Sequence, residues 1–193
     1  MPDIDYKCWF CFDSYNNFQF FCIRCKKIQK PSEINSFRIF GLEYEFLIDL
    51  KSLETSYFLL QSKLHPDKFI NASDEEQLYS QIHSSNLNNS YKKLVDEITR
   101  AEELLECFGK NNSLNKSFTD TDMLNEIMEI QDESENLKNL KEKKIFNQKL
   151  FHEINQLISE LDISFKERKF DKANSIKVRI SYLKKIIKNI KEY

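Results

Sequence analysis

A chain of 193 residues, with 40% apolar and 31% charged residues, is long enough for two small domains and can bury a hydrophobic core. Its formal net charge of −2 gives no overall attraction for nucleic acid or an anionic membrane, and no apolar run reaches the ~18 residues that span a bilayer. With 2 Gly and 3 Pro the chain is expected to be mainly helical, and the scarcity of glycine excludes the Gly-rich phosphate loops of many nucleotide-binding enzymes.

The first 30 residues are the one part of the chain without a helical pattern. Two CxxC pairs, Cys8/Cys11 and Cys22/Cys25, are separated by ten residues, and Phe18-Gln19-Phe20 between them alternates like a short strand. Four cysteines in two such pairs match the ligand set of tetrahedral zinc. Two disulfides or a redox CxxC are the alternatives, but the acidic start of the chain lacks the features of a secretory signal.

We therefore expect residues 1–30 to form a β-hairpin module around one structural zinc ion. With four protein ligands no position is left for water or substrate, so catalysis there is not expected. A segment this short depends on its metal for folding, and metal removal is expected to melt it while the helical parts stay folded. Trp9, Phe20 and Phe21 are expected to pack inside the module or to dock it on the next domain.

The next segment, residues 36–109, is predicted to hold an antiparallel helical hairpin and a third helix. One apolar stripe predicts a long first helix, which Pro66 ends at His65. The second helix carries Leu87 at the start of its stripe, and the third ends at Gly109. The first stripe consists of Phe46, Leu50, Leu53, Tyr57, Leu60 and Leu64.

A polar linker then separates this segment from residues 118–193, which are predicted to form an antiparallel three-helix bundle. Thr119 or Asp120 is the expected N-cap of its first helix. The first helix carries a buried stripe that ends at Leu137, yet Leu124 and Met128 fall about 100° away from it. Apolar residues outside the core stripe indicate a protein interface, with a broad core stripe as the alternative.

His65-Pro66-Asp67, placed between two antiparallel helices, gives the chain its resemblance to J-domains. The similarity covers residues 53–69 and continues on the next helix at Leu87-Asn88 and Tyr91-Lys92-Lys93-Leu94. More narrowly, the chain resembles the iron-sulfur cluster co-chaperones of the HscB family, known in yeast as Jac, over nearly its whole length. Phe37-Arg38-Ile39-Phe40-Gly41-Leu42, Arg100-Ala101-Glu102-Glu103-Leu104-Leu105 and the four cysteines carry this closer resemblance.

The resemblance implies a protein without an active site of its own, in which two surfaces bind two partners. His65, Pro66 and Asp67, flanked by Lys63 and Lys68, would stimulate ATP hydrolysis by a heat-shock chaperone of the HscA type. The positions that match the family's surface for the IscU-type scaffold are Leu124, Met128, Glu129 and Tyr182. A homodimer is a further association that the sequence leaves open.

Two other functions remain as alternatives at this stage. A general J-domain co-chaperone would deliver many unfolded clients, and a zinc-ribbon protein would bind nucleic acid through residues 1–30, which the net charge disfavours. The expected compartment is the bacterial cytoplasm, or the mitochondrial matrix in a eukaryote.

Overall fold

The computed structural model describes residues 6–110 and 121–191, and in these ranges the chain is mainly helical. A two-stranded antiparallel hairpin lies at the N-terminal end, where β1 pairs with β2 in the register Tyr6 with Tyr15 and Lys7 with Ser14. This confirms the predicted fold class. The elements are β1 Tyr6–Lys7, β2 Ser14–Tyr15, α1 Ser36–Ile39, α2 Leu50–Leu64, a 3-10 turn Pro66–Phe69, α3 Asp74–Val95, α4 Glu97–Cys107, α5 Thr121–Glu135, α6 Leu140–Lys166 and α7 Phe170–Lys191.

The strands differ in position from the sequence prediction. The segment Phe18-Gln19-Phe20 lies outside β1 and β2, and a single bridge joins Phe21 to Ile28 further along. Phe18 and Phe20 instead pack edge to face on each other at 4.9 Å between ring centroids. Their alternation therefore reflects two rings packed on one side of the chain.

The chain divides into two compact units, and the first comprises residues 1–43 and 49–95. In it α2 and α3 form the predicted antiparallel hairpin: Tyr57 stacks on Tyr91 at 4.2 Å between ring centroids, and Leu64, later in α2, shares a core cluster with Leu87, earlier in α3. The Tyr57 hydroxyl donates a hydrogen bond to Asn88 Oδ1 at 2.9 Å. The hairpin thus has its register fixed by one tyrosine near the middle of α2.

Helix α2 begins later than the apolar stripe indicated. Asp49 caps it, because its Oδ1 accepts hydrogen bonds from the N–H groups of Lys51 and Ser52. Phe46 therefore lies outside α2, and Leu50 at the start of the helix is exposed. The helix ends at Leu64 because His65, which precedes proline, adopts an extended ψ of 131°.

The second unit comprises residues 44–48 and 96–193, with a core built around α6 and α7. Phe46 is buried here, stacked on Phe165 of α6 and covered by the guanidinium of Arg100 at 5.0 Å from its ring. Helix α4, grouped with the hairpin in the sequence analysis, packs against α7 in this unit. The sequence-based domain boundaries themselves stay a prediction.

Two expectations about α5 can be placed on the structure. The proposed N-caps Thr119 and Asp120 lie outside the described residues. Leu137 lies beyond the end of α5 at Glu135, so the stripe that the sequence assigned to one helix runs into the following turn.

Within residues 6–110 and 121–191, none of the helices has the length and apolar character required to cross a membrane.

Candidate functional site

The two CxxC pairs of the tetracysteine module (residues 6–30) adopt one repeated backbone turn. The N–H of Phe12 donates to the carbonyl of Cys8 at 3.1 Å, and the N–H of Lys26 donates to that of Cys22 at 3.0 Å. Phe12 and Lys26 close these turns with positive φ angles of 62° and 63°. Both turns point their thiols at a common centre.

The four sulfur atoms fit one metal ion. Cys8 Sγ lies 3.6 Å from Cys25 Sγ, and Cys11 Sγ lies 3.7 Å from Cys22 Sγ, with all four within 4.8 Å of one another. A tetrahedron with metal–sulfur bonds of ~2.3 Å has edges of about 3.8 Å, close to these separations. The cysteines are free thiols, and these separations are well beyond the ~2.05 Å of a disulfide bond, so the arrangement fits a metal site better than two disulfides.

The electrostatics of this cluster also favour a bound cation. Burial raises the pKa of the Cys8 thiol, but the N–H groups of Cys11 and Phe10, together with neighbouring thiols, outweigh burial and lower it to about 6. Cys11 has the opposite shift: although the N–H of Asp13 stabilises its thiolate, burial and three neighbouring thiols raise its pKa to about 12. A metal ion supplies the positive charge that lets such thiols ionise together.

His65, Pro66 and Asp67, here called the HPD loop, lie on one exposed turn between α2 and α3. His65 Nδ1 accepts a hydrogen bond from the N–H of Asp67 at 3.3 Å, so in the neutral ring Nε2 carries the proton and points away from this contact. The N–H of Lys68 donates to the His65 carbonyl at 3.0 Å and closes the 3-10 turn. The side chains of His65 and Asp67 are 48% and 79% exposed.

The outward face of α2 next to the HPD loop has little positive charge. Lys63 and Lys68 are exposed on either side of the loop, as the sequence analysis placed them. Between Lys51 and Lys63, however, the exposed positions include Phe58 and Leu59, two neighbouring large apolar residues. Exposed Glu54 further reduces the positive charge of this face, so a ligand approaching it meets mixed polar and apolar side chains with lysines at both ends.

The four residues matched to the scaffold surface lie on two adjacent helices and are called the α5–α7 patch. Leu124, Met128 and Glu129 lie on α5, and Tyr182 lies on α7, which packs against it. Met128 is 64% exposed and Tyr182 38% exposed, whereas Leu124 is half-buried.

An ion pair between α5 and α7 shows how the members of the α5–α7 patch are aligned. Arg179 Nη1 contacts Glu126 Oε2 at 2.5 Å, and its other terminal nitrogen contacts Glu153 on α6 at 2.8 Å. Burial lowers the pKa of Arg179, but the hydrogen bonds and negative charges of Glu126 and Glu153 outweigh burial, so the pKa lies above its usual value. Asp122 of α5 and Lys172 of α7 also line one surface cleft. Both pairs of positions follow the same order along the two helices, so α5 and α7 run parallel, and Tyr182 lies level with Glu129.

Sequence reasoning missed the residue that joins the module to α3. His83, 3% exposed, hydrogen-bonds through Nε2 to the carbonyl of Gln29 at 2.8 Å and meets the ring of Phe20 edge to face. The sequence offers no partner at ligand spacing for His83, because its partner lies 54 residues earlier in the chain. The helical spacing of Glu76, Tyr79 and His83 could have indicated that they share one face of α3, but it gives no information about the partner of His83.

Comparison with known proteins gives one consistent result. A family profile described as the HSCB C-terminal oligomerisation domain matches residues 119–191. The iron-sulfur cluster co-chaperone protein HscB homolog of Arabidopsis thaliana is 28% identical over 184 residues, covering 95% of this chain and 72% of that protein. The crystal structure of human co-chaperone protein HscB has a TM-score of 0.88 and 26% identity, covering 96% of this chain and 97% of the human one. Residues 119–191 thus match an HscB family profile, and the chain as a whole is similar to HscB co-chaperones in sequence and fold.

The similarity to HscB proteins extends beyond the C-terminal helices. The human iron-sulfur cluster co-chaperone protein HscB is 28% identical and covers 96% of this chain, so the aligned region includes the HPD loop and most of the tetracysteine module. The profile match corresponds to α5, α6 and α7, which carry the α5–α7 patch. The relatives are co-chaperones by name, in agreement with a non-enzymatic role.

Proposed function

We propose that this chain is a co-chaperone of iron-sulfur cluster assembly that stimulates ATP hydrolysis by a heat-shock chaperone of the HscA type. The observation that carries the proposal is the exposed HPD loop at the junction of two antiparallel helices in a chain that is similar to HscB co-chaperones. The protein would act there by binding, with His65 and Asp67 as contacts and no bond made or broken on its own side chains. Its compartment follows that of the chaperone, the bacterial cytoplasm or the mitochondrial matrix.

The loop's geometry suits a recognition role. Pro66 fixes its own φ, and the 3-10 turn leaves few conformations for the neighbouring residues to lose when a partner binds. His65 offers an Nε2–H donor and Asp67 a carboxylate acceptor, so the loop presents one donor and one acceptor at fixed positions. Lys63 and Lys68 add two charges at its edges.

The second half of the proposal is delivery of an IscU-type scaffold on the α5–α7 patch. Large apolar side chains at a surface support a protein partner there, because burial of Met128 and Tyr182 against another chain would remove apolar area from water. Glu129, which is exposed next to Met128 on α5, would give the contact a charged group for orientation.

The third element is a single zinc ion held by Cys8, Cys11, Cys22 and Cys25. The sulfur separations support a tetrahedral thiolate site, and zinc is the metal that such closed four-cysteine sites most often hold for structural purposes. The ion would supply folding free energy to a module whose strands are two residues each.

Replacement of His65 tests the chaperone contact. His65→Gln should abolish stimulation of the partner's ATPase, because the glutamine cannot reproduce the ring's fixed donor position, while far-UV circular dichroism stays unchanged for an exposed residue. The measurement is steady-state ATP turnover by an HscA-type chaperone, with and without an IscU-type scaffold.

The matched control is His152→Gln, which alters an exposed histidine on α6 in the second unit. That variant should stimulate like the native chain. Full stimulation by His65→Gln would refute the proposed role of the HPD loop.

A further inference from the structure

The tetracysteine module is docked along one face of α3. Glu76, Tyr79 and His83 recur at helical spacing on this face, and each contacts a residue of the module. Lys27 Nζ binds the buried carboxylate of Glu76 at 2.6 Å, and Trp9 meets Tyr79 edge to face at 5.7 Å between ring centroids. The module therefore has charged, aromatic and hydrogen-bonded contacts with a single helix.

The module also completes the hydrophobic core that supports the HPD loop. Ile28, fully buried, belongs to one cluster with Leu64 of α2 and Leu87 of α3. Leu64 immediately precedes His65, and Phe69, which ends the 3-10 turn, packs against the same cluster. The residues on both sides of the HPD loop thus share a core with the module.

The position of Ile28 in this core depends on contacts from both cysteine turns. The N–H of Cys22 donates to the carbonyl of Lys27 at 2.9 Å, and the indole N–H of Trp9 donates to the carbonyl of Ile28 at 2.7 Å. Trp9 itself lies between Cys8 and Cys11. These two hydrogen bonds, to Lys27 and Ile28, therefore come from the cysteine turns, and a module this small depends on a bound metal to keep its turns.

We propose that metal binding at the four cysteines sets the rigidity of the α2–α3 hairpin, and through it the presentation of the HPD loop. Without the metal, Ile28 leaves the cluster, Leu64 and Leu87 lose a fully buried neighbour, and the two helices open locally more often. The consequence for chaperone stimulation rests on the proposed function, whereas the coupling between metal and hairpin does not. This refines the sequence-based expectation that metal removal affects the module alone.

Hydrogen exchange of the full chain tests the coupling directly. The zinc-loaded protein is compared with protein stripped by a chelator under reducing conditions, using peptides from residues 59–69 and 74–95. We expect exchange in both peptides to accelerate by about tenfold or more, since they lose a shared buried contact. Peptides from residues 146–165 of α6, in the second unit, should be unchanged. Unchanged exchange in residues 74–95, with residues 6–30 fully unprotected, would overturn the proposal.

Two isoleucines of the module provide a matched pair of variants. Ile28→Ala removes a fully buried side chain, and Ile23→Ala removes one that is 67% exposed. With zinc content measured by a chromogenic chelator, Ile28→Ala should accelerate exchange in residues 74–95 or weaken zinc binding, because coupling between two sites is reciprocal. Ile23→Ala should do neither. Equal exchange and equal zinc affinity for the two variants would contradict the shared core.

These measurements need no chaperone, so they separate the two proposals. If His65→Gln leaves ATP turnover unchanged, the proposed function fails while the metal–hairpin coupling can still be measured. If the coupling fails, the HPD loop can still act as a chaperone contact without control by the module.

Discussion

His83 is a buried histidine whose ring forms a hydrogen bond from α3 to the tetracysteine module. Burial lowers its pKa, and the hydrogen bond to the Gln29 carbonyl opposes this shift only in part. In the folded state the ring is therefore harder to protonate than in the unfolded chain, where a histidine titrates near pH ~6.5. Protonation at lower pH favours the unfolded or undocked form.

The sign of this shift predicts a pH dependence of docking. The contribution of a neutral His83 is complete above about pH 6.5 and decreases as the pH falls below it, because the unfolded chain then binds the extra proton. We expect the native chain to lose stability against urea between about pH 7 and about pH 5.5, and His83→Gln to lose less. Fluorescence of Trp9, the only tryptophan, reports the docked state because its ring packs on Tyr79.

His152→Gln provides the control, since that ring is exposed on α6. The Lys27–Glu76 ion pair beside His83 is kept in all three proteins, and zinc release is followed in parallel so that loss of metal is not mistaken for undocking. Identical pH profiles for the native chain and His83→Gln would exclude the assigned role of the ring.

At this scale the sequence predicts residues whose partners are close in the chain. Two CxxC pairs predict a metal cluster because each pair is fixed by one local turn, and the structure brings the four sulfurs together. The partner of His83 could not be identified in this way, because it is the main-chain carbonyl of Gln29, 54 residues earlier, and such a contact leaves no side-chain pattern in the sequence. Packing of the folded units is needed to identify such residues.

At the scale of elements, α2 shows why helical periodicity overestimates helix length. Phe46 continues the spacing of the stripe, but Asp49 begins the helix three residues later, and Phe46 instead packs on Phe165. One apolar residue before a long stripe can match its three- or four-residue spacing by chance. Such a match therefore does not show that the residue belongs to the helix. The cap, which is visible in the sequence as an Asp before Leu50, is the stronger signal for this boundary.

The α5–α7 patch permits a second prediction at the element scale. Combined replacement of Leu124, Met128 and Tyr182 by alanine should weaken binding of an IscU-type scaffold by about 2–4 kcal/mol if these side chains are its anchors. Helical content should be nearly unchanged, since Met128 and Tyr182 are exposed. Isothermal titration calorimetry with the purified scaffold measures the change in affinity.

Helix α6 supplies a matched control for this experiment. Leu140, Ile145 and Phe151 are also exposed apolar residues, and they lie on a helix outside the α5–α7 patch. Their combined replacement by alanine removes a similar apolar surface and should leave scaffold affinity unchanged. Equal losses of scaffold affinity for the two triple variants would show that binding depends on nonspecific hydrophobic contact and not on the α5–α7 patch.

The whole molecule is close to neutral, with 29 basic and 31 acidic residues. Many of its charges are also engaged inside the second unit, where Lys184 pairs with Glu97 and Lys177 pairs with Glu102. In the first unit the outer face of α2 presents Phe58 and Leu59 where additional basic residues would increase attraction to an acidic partner. Long-range electrostatic steering towards the chaperone should therefore be weak.

This charge distribution predicts that stimulation of the chaperone is nearly independent of ionic strength. Between about 50 and about 200 mM salt, the concentration of this protein that gives half-maximal ATPase stimulation should change by less than about threefold, because screening has few opposed charges to act on. A double variant, Phe58→Lys with Leu59→Lys, adds two positive charges to α2 at exposed positions without altering the hairpin core. It should acquire a clear salt dependence if the chaperone surface is acidic. A steep loss of stimulation by the native chain in the same salt range would mean that Lys51, Lys63 and Lys68 alone suffice to steer the encounter.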